Sequence, residues 1–383
     1  TIWENAGVRL WRCPDRDARI GILSFKSKMH AIGDEVLDGV LEAVARAEAD
    51  LDGLVLWHEA PFAVGANLMQ VAGACQMGRF DLLEKNVARF QHASLALKHA
   101  QVPVVAAIQG MALGGGCEFA MHAAHRVLAL ESYVGLVEAG VGLIPAGGGS
   151  KELVLRASAL ARRAAGGDVF PFVQEMFQNV AQGKVGKSAH QAIELGYARA
   201  SDDILFNAHE LLYAALIRAR SLAEAGYRPP LRNPTATVAG RDGIATCEMF
   251  IANMAEGGFI SEHDYRVGKA VATALCGGEV DTRAQVPESW LLAPEARPSA
   301  IPLLRLPRRT EAAATLGRRA VRIDHHGAPW CIDGTPAEQG EGSEHDEQAF
   351  HGNGPPVGVG LDSSQLHQVR ESAGRDSQSS SVA

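Results

Sequence analysis

Residues 111–121 read MALGGGCEFAM, where three consecutive glycines precede a cysteine, a glutamate and an apolar stretch. The preceding run PVVAAIQG at 103–110 has the composition of a buried strand, and CEFAMHAA at 117–124 has that of a helix. Glycines 114–116 are therefore predicted to form the strand-to-helix turn, where a backbone without Cβ atoms lets a ligand approach closely. The free N–H groups at the helix start suit a phosphate or a developing oxyanion, and Glu118 projects near them.

This motif alone does not define a function. Glycine-rich turns between strands and helices are common, and a glutamate in the first turn often serves only the helix dipole. The sequence contains neither the G-x-G-x-x-G spacing of a dinucleotide fingerprint nor a Walker A motif ending in GK[ST]. Neither of those two modes of nucleotide binding is therefore indicated.

The first 150 residues alternate between strand and helix patterns, which predicts an α/β layered fold. Apolar runs rich in β-branched residues or leucine predict strands at 21–25, 52–57, 103–110 and 125–130. Two helices are predicted between them from apolar residues on one face: Val36, Leu37, Val40, Leu41 and Val44 in the first, and Leu83, Val87, Phe90 and Leu97 in the second, at about 82–100.

The later part of the chain has a different character. From about residue 151 helical patterns dominate, with one helix predicted at 208–225 and a helical pair at 235–290. Residues 294–383 are rich in Pro, Gly, Ser, Arg and His without a sustained period, and are predicted to be mostly disordered. We therefore expect a core over 1–200, a C-terminal helical region over 201–293 and a tail over 294–383.

Composition narrows the functional class. The net charge of -8 argues against a nucleic-acid-binding protein, because phosphate backbones require clustered Lys and Arg. No apolar run approaches the roughly 18–20 residues that would span a bilayer. The six cysteines are widely spaced and form no CxxC pair, which is typical of reduced thiols in a cytosol. The expected location is cytoplasmic.

Two further stretches complete a candidate site. APFAVGANLM at 60–69 follows a predicted strand, and its small residues Gly65 and Ala66 can expose a backbone N–H. In LVEAGVGLIPAGGGS at 136–150, Glu138 precedes a turn rich in Gly and Pro. One amide at a strand end, one at a helix start and two carboxylates would form a site for acyl chemistry.

These motifs together resemble the crotonase (enoyl-CoA hydratase/isomerase) superfamily. FAVGAN is similar to its FAxGAD pattern, ALGGGCE at 112–118 matches its glycine run, and VEAGVGLIPAGGG is similar to its downstream PE…G.IP.GG segment. KSAHQAIELGYARA at 187–200 resembles the segment that follows the core. The four motifs occur in the family's order within residues 8–226. The resemblance implies a crotonase-like ββα spiral core with a C-terminal helical extension.

The resemblance also implies roles for individual residues. The amides of Ala66 and Gly115 would form the oxyanion hole, Glu118 would act as general base towards water, and Glu138 would give a proton to the α-carbon. No metal and no cofactor are implied, since CoA is part of the substrate. The residues expected to line the CoA thioester are Ala63, Gly65, Asn67, Leu68, Met69 and Gly114.

Both glutamates, twenty residues apart, favour a hydratase that adds water to trans-2-enoyl-CoA in fatty-acid β-oxidation. Two alternatives stay open: a CoA-thioester-binding or assembly module with little catalysis, and an enoyl-CoA isomerase that uses one glutamate. The sequence departs from the family pattern at Asn67, where Asp is usual, and at Val137, where Pro is usual. Val137 could alter the backbone that aims Glu138.

The helical extension resembles the hydratase part of bacterial two-part proteins that also carry a 3-hydroxyacyl-CoA dehydrogenase. The expected partners are therefore an acyl-CoA substrate, a dehydrogenase domain or subunit, and further copies of this chain. The Thr start suggests a C-terminal fragment or a separately encoded half. The tail suggests a shifted reading frame or foreign extension, with a natural disordered tail as the alternative; the nucleotide sequence would distinguish them.

Overall fold

The computed structural model describes residues 1–296 and two short segments, 321–323 and 329–331. Apart from the end of one helix and these two segments, the predicted tail over 294–383 lies outside the described residues. The strands are β1 (Trp3–Glu4), β2 (Val8–Cys13), β3 (Asp17–Phe25), β4 (Gly53–Leu56), β5 (Val104–Ile108), β6 (Met111–Leu113), β7 (His125–Ala129), β8 (Tyr133–Gly135), β9 (Asp203–Leu205), β10 (Thr235–Thr237), β11 (Gln285–Pro287), β12 (Val321–Ile323) and β13 (Pro329–Cys331).

Helices take up most of the remaining described chain. They are α1 (Asp34–Asp50), α2 (Leu68–Gln76), α3 (Phe80–His99), α4 (Gly115–His122), α5 (Gly149–Ala161), α6 (Phe170–Ala181), α7 (Ala189–Glu194), α8 (Leu211–Glu224), α9 (Gly240–Glu256), α10 (Glu262–Leu275) and α11 (Glu288–Ala296). None of the helices in the described part of the chain has both the length and the apolar composition needed to cross a membrane.

The main sheet has the strand order β1-β2-β3-β4-β5-β7-β9. The first three strands pair antiparallel, and β3, β4, β5, β7 and β9 pair parallel through helical connections. The central strands β4 and β5 are buried at every residue, which explains why both appear in the sequence as continuous apolar runs. The predicted α/β class is confirmed.

Alternation along the strands divides the core into two layers. Val55 faces α8, whereas its neighbours Leu54 and Leu56 face the helices on the other side of the sheet. The layer under α8 consists of Ile20, Ile22, Val55, Val105, Ala107 and Val127 packed on Leu211, Ala215, Leu216 and Ala219. The other layer extends from Val8 to Leu291, so the C-terminal helices share one core with the sheet.

The glycine run differs from its predicted role. A short strand, β6, follows β5, and α4 begins at Gly115, so Gly115 and Gly116 belong to the helix rather than to a preceding turn. The physical reason is close packing: an ideal Cβ at Gly116 would lie 2.6 Å from the carbonyl oxygen of Ala63. Only a glycine lets the first turn of α4 approach that segment.

The predicted helices are confirmed within a few residues at each end. The helix expected at 82–100 is α3, and the helix expected at 208–225 is α8. The helical pair expected at 235–290 is α9 and α10, bracketed by the antiparallel pair β10 and β11. The differences lie at the ends, where helices fray and assignment depends on the last hydrogen bond.

Candidate active site

The extended segment at 62–66 connects two parts of the site. On one edge the amide of Ala63 donates to Met111 over 2.9 Å, and the amide of Leu113 donates to Ala63 over 2.9 Å. On the other edge the amide of Ile32 donates to Gly65 over 2.8 Å, and that of Asn67 donates to Ile32 over 3.0 Å. Successive residues of an extended chain point their amides in opposite directions. The N–H of Ala66 therefore points away from Ile32.

The amides of Ala66 and Gly115 are neighbours. An ideal Cβ at Gly65 would lie 3.2 Å from the nitrogen of Gly115, and an ideal Cβ at Gly115 would lie 3.4 Å from the nitrogen of Ala66. Gly65 has a φ of +99°, which side chains rarely adopt. The N–H of Gly115 is the first of α4 and has no intrahelical acceptor. The two backbone donors expected from the sequence are thus brought together.

Glu118 lies in the first turn of α4 with only 3% of its surface exposed. Its Oε1 accepts hydrogen bonds from the amides of Gly147 and Gly149, each over 2.8 Å. Burial raises the pKa of Glu118 to about 7, against the opposing effect of the two amides and the charge of Lys151. A carboxyl group with this pKa can exchange protons near neutral pH.

Glu138 begins a short 3-10 turn, Glu138–Val141, and is half-buried. Its Oε1 would lie 3.2 Å from an ideal Cβ at Gly114, so its carboxylate lies against the residue that precedes α4. Burial, followed by the charges of Glu138 and Glu118, raises the pKa of the Cys117 thiol well above its usual value. Both candidate catalytic carboxylates therefore lie at the first turn of α4.

The backbone donors that hold Glu118 do not follow from the sequence motifs. Gly147 precedes α5 and Gly149 is its first residue; both lie in the PAGGGS stretch, which the sequence shows to be glycine-rich without indicating a role. An ideal Cβ at Gly147 would lie 2.5 Å from Oε2 of Glu118 and 2.4 Å from Cδ1 of Phe90. Glycine is required there because the carboxylate packs directly on the backbone. The consecutive glycines are visible in the sequence, but the carboxylate that they bind lies 29 residues before Gly147 and 31 before Gly149.

Three of the predicted substrate-binding residues, Asn67, Leu68 and Met69, lie at the start of α2. Asn67 is the N-cap, and its Oδ1 accepts from the amide of Met69 over 3.2 Å. Leu68 and Met69 form the first turn, and the side chain of Met69 is 81% exposed. Ala63 is fully buried, and its Cβ would lie 2.7 Å from an ideal Cβ at Gly116.

Several buried ionisable residues near Glu118 were missed. His122 is the last residue of α4 and is only 2% exposed, and Lys151 donates to its Nε2 over 2.8 Å. His99, at the end of the helix predicted at 82–100, is also buried, and its Nε2 lies 3.7 Å from Oε2 of Glu288. Helical periodicity cannot show a polar face that packs against another helix's charges.

Comparison with known proteins adds independent support for the family. The profile described as "Enoyl-CoA hydratase/isomerase" matches residues 17–165, which contain both glutamates and both amides. A Bacillus subtilis (strain 168) protein named "Probable 3-hydroxyacyl-CoA dehydrogenase" is 37% identical over 292 residues, covering 76% of this chain and 36% of that protein. This chain thus spans about a third of that relative's length.

Two further similarities are shorter or more distant. A probable enoyl-CoA hydratase of Mycobacterium leprae is 31% identical over 140 residues, covering 35% of this chain and 52% of that protein. The crystal structure of an enoyl-CoA hydratase from Bacillus anthracis aligns with a TM-score of 0.47 at 20% identity, covering 70% of this chain and 89% of that one.

The expected fold is confirmed as a crotonase-like α/β core followed by a C-terminal helical extension. The matched segment contains the glycine run at the start of α4, Glu118 in the first turn of that helix, and Glu138 twenty residues after Glu118. The chain belongs to the crotonase, or enoyl-CoA hydratase/isomerase, superfamily.

Proposed function

We propose that this chain is an enoyl-CoA hydratase that adds water to trans-2-enoyl-CoA and yields 3-hydroxyacyl-CoA. The observation that carries the proposal is the pair of carboxylates, Glu118 and Glu138, beside the first turn of α4. The first amide of that turn is also the neighbour of the Ala66 amide. A hydratase needs these groups together: two donors for the thioester oxygen and two carboxyl groups for proton transfer.

In the proposed reaction, the thioester oxygen lies between the amides of Ala66 and Gly115. Glu118 accepts a proton from water as the water oxygen bonds to C3, and the electron pair of the C2–C3 double bond moves towards the thioester oxygen. The resulting enolate collapses as C2 takes a proton from Glu138, so one water is added and no electron is gained or lost. Glu118 then releases its proton to solvent water and Glu138 takes one up, which restores the starting protonation states. Losing one oxyanion donor typically lowers the rate by about 10²–10³.

A pKa of about 7 suits Glu118 to the role of base. An ionised carboxylate with this pKa is a stronger base than an ordinary glutamate, yet a large fraction of it is ionised at neutral pH. The two glycine amides on Oε1 fix the direction of the carboxylate, which leaves Oε2 for the water. No metal and no cofactor enters the proposed reaction.

We extend the proposal to the surroundings of the reaction. Its product, a 3-hydroxyacyl-CoA, is the substrate class named for the Bacillus subtilis relative, so a dehydrogenase domain or subunit is the proposed partner. A place in cytoplasmic fatty-acid β-oxidation and assembly into a homo-oligomer belong to the same proposal.

The test is to incubate the protein with crotonyl-CoA and with a longer trans-2-enoyl-CoA. Absorbance of the conjugated thioester should fall, and the product should gain the mass of one water. Conversion of a 3-enoyl-CoA without any mass gain, and no hydration, would instead establish an isomerase. Binding of acyl-CoA without any turnover would establish the binding module.

A further inference from the structure

A group of four charged side chains is buried behind Glu118, and we call it the buried charge cluster: Lys98, Lys151, Glu152 and Glu288. Lys98 Nζ donates to Oε1 of Glu152 over 2.5 Å and to Oε1 of Glu288 over 2.7 Å. Lys151 Nζ donates to the same two oxygens over 2.7 and 2.9 Å. Each carboxylate oxygen therefore bridges both ammonium groups.

The cluster joins parts of the chain that are far apart in sequence. Lys98 lies in the last turn of α3, Lys151 and Glu152 lie in the first turn of α5, and Glu288 begins α11. All four residues are less than 9% exposed. Two cations and two anions make the cluster neutral, and a buried charge left without its partner is strongly unfavourable. Removal of any one side chain therefore leaves a net unit charge at this place.

Two routes connect this charge to Glu118. Lys151 lies two residues after Gly149, whose amide donates to the Glu118 carboxylate. Lys151 also donates to Nε2 of His122 over 2.8 Å, and Nδ1 of His122 donates to the backbone carbonyl of Glu118 over 2.6 Å. Because a carbonyl only accepts, the His122 proton is on Nδ1, and Nε2 is the acceptor.

His122 stays neutral in this arrangement. Burial, and then the charge of Lys151, lowers its pKa to about 3. The charge that Glu118 experiences from this side is therefore that of Lys151, which favours the ionised carboxylate. The strength of this electrostatic effect on Glu118 depends on Glu152 and Glu288, the two carboxylates that balance the charge of Lys151.

Other titratable groups face Glu118 or the buried charge cluster. Cys117 and Glu138 lie near Glu118 at the first turn of α4, and the charge of Arg156 in α5 favours the ionised form of Glu152. A cavity of about 200 Å³ reaches Lys98, His122 and Glu152 and is lined elsewhere by Arg199, Tyr227 and Arg228. His99 of α3 lies 3.7 Å from Oε2 of Glu288. Of these groups His99 loses its carboxylate neighbour in Glu288→Gln, whereas Lys98→Met leaves that carboxylate in place.

We propose that Glu288, on the C-terminal helix α11, is a positioning residue for Glu118: by balancing the charges of Lys151 and Lys98, it sets the electrostatic field in which the candidate base works. Glu288 acts through Lys151 and does not contact substrate. This inference rests on the proposed hydratase function, in which Glu118 must be ionised. It gives the helical extension a positioning role at the candidate site.

Three variants with opposite charge effects test the inference. Glu288→Gln leaves the cluster with one excess positive charge, which should lower the pKa of Glu118 and move the acid limb of kcat/KM to lower pH. Lys98→Met leaves one excess negative charge, which should raise the pKa of Glu118 and move the acid limb of kcat/KM to higher pH. As a general guide, a unit charge about 10 Å from a titrating group, at an effective dielectric of about 20, moves its titration by about one pH unit. The double variant is neutral and should return close to the wild-type profile.

The experiment is the pH profile of kcat/KM for crotonyl-CoA in the wild type and the three variants, with thermal unfolding of each. Opposite shifts in the single variants and recovery in the double variant would support the role. If Glu288 had a purely structural role, both single variants would lose activity without opposite shifts of the acid limb. That result would overturn the inference, and so would an acid limb that is unchanged in all three variants. If Glu288→Gln does not fold, Lys98→Met and the double variant decide.

A second readout separates this inference from the proposed function. The carboxyl carbon of Glu118 can be titrated by 13C NMR in labelled protein and assigned by its loss in Glu118→Gln. If the wild type hydrates no enoyl-CoA but the Glu118 titration shifts in opposite directions in the two single variants, only the proposed function fails. If hydration occurs and the titration does not move, only the role of Glu288 fails.

Discussion

At Glu118, burial raises the pKa of the carboxyl group, whereas hydrogen bonds from two backbone amides lower it. Burial has the larger effect and leaves the pKa at about 7, compared with 4.5 for an ordinary glutamate. This shift corresponds to roughly 3 kcal/mol of lost stability once the group is ionised in the folded protein. A side chain with this energetic cost is more readily explained by chemistry than by packing.

Because ionised Glu118 destabilises the folded state, Glu118→Gln should change the free energy of unfolding by an amount that depends on pH. Below about pH 4.5 the carboxyl is protonated in both the folded and unfolded chain, so the wild type bears no penalty. As pH rises from 4.5 to 7 the unfolded state loses its proton first, and wild-type stability falls. We therefore expect the variant to exceed the wild type by about 2–3 kcal/mol at pH 8 and by much less at pH 5.

Urea unfolding at the two pH values measures this difference, with Glu256→Gln at the exposed end of α9 as the matched control. The control should change stability equally little at both pH values. A Glu118→Gln effect of the same size at pH 5 and pH 8 would contradict the raised pKa.

Sequence motifs identify single residues of the site better than they identify contacts. Glu118, Glu138, Ala66 and Gly115 follow from motifs of which each occupies a short stretch of chain. The buried charge cluster could not be predicted, because its members come from positions 98, 151, 152 and 288 and only the fold brings them together.

At the scale of elements, the site depends on how closely the segment at 62–66 approaches α4. Long apolar strands and amphipathic helices were predictable because their periods extend over many residues. The short strands β6 and β8 were not, because three residues carry too little pattern, yet β6 holds this segment through its pairing with Ala63. The precise approach of segment and helix is therefore a tertiary property.

Gly65→Ala tests this approach. The new Cβ would lie 3.0 Å from the carbonyl oxygen of Leu113 and 3.2 Å from the nitrogen of Gly115, at a φ of +99°. We expect the segment to move and one oxyanion donor to be misplaced, with a loss of about 10²–10³ in kcat for crotonyl-CoA hydration. The measurement is steady-state kinetics with circular dichroism to verify folding.

Gly73→Ala is the matched control, since an ideal Cβ at this α2 position meets no atom within 4 Å. Alanine in a helix interior should leave kcat unchanged and stabilise α2 by about 0.5–1 kcal/mol. Equal activity of the Gly65 and Gly73 variants would show that the segment does not supply a donor.

At the scale of the whole molecule, the C-terminal helices and the sheet share a hydrophobic core. The same layer contains Val8 of β2, Leu275 of α10 and Leu291 of α11. The sequence predicted a core over 1–200 and a helical region over 201–293, but packing between them involves pairs of residues distant in sequence, which periodicity does not show. Contact of Glu288 with α3 and α5 adds a polar connection to this apolar one.

Leu275→Ala should therefore destabilise the described fold as one unit. Leu275 is 1% exposed, and removing a buried leucine side chain typically costs about 2–5 kcal/mol. In urea, far-UV circular dichroism and tryptophan fluorescence should shift together. Leu231→Ala, at a leucine 84% exposed, is the control and should have little effect. Two separate transitions in the Leu275 variant would show that the helices unfold independently of the sheet.

The central claim is that two carboxylates beside the start of α4 hydrate an enoyl thioester. The most direct test is turnover of crotonyl-CoA by the wild type beside Glu118→Gln and Glu138→Gln, with Glu256→Gln as control. We predict hydration by the wild type and the control, and a loss of at least about 10²-fold in each of the other two variants. Hydration that survives either substitution at the wild-type rate would contradict the account.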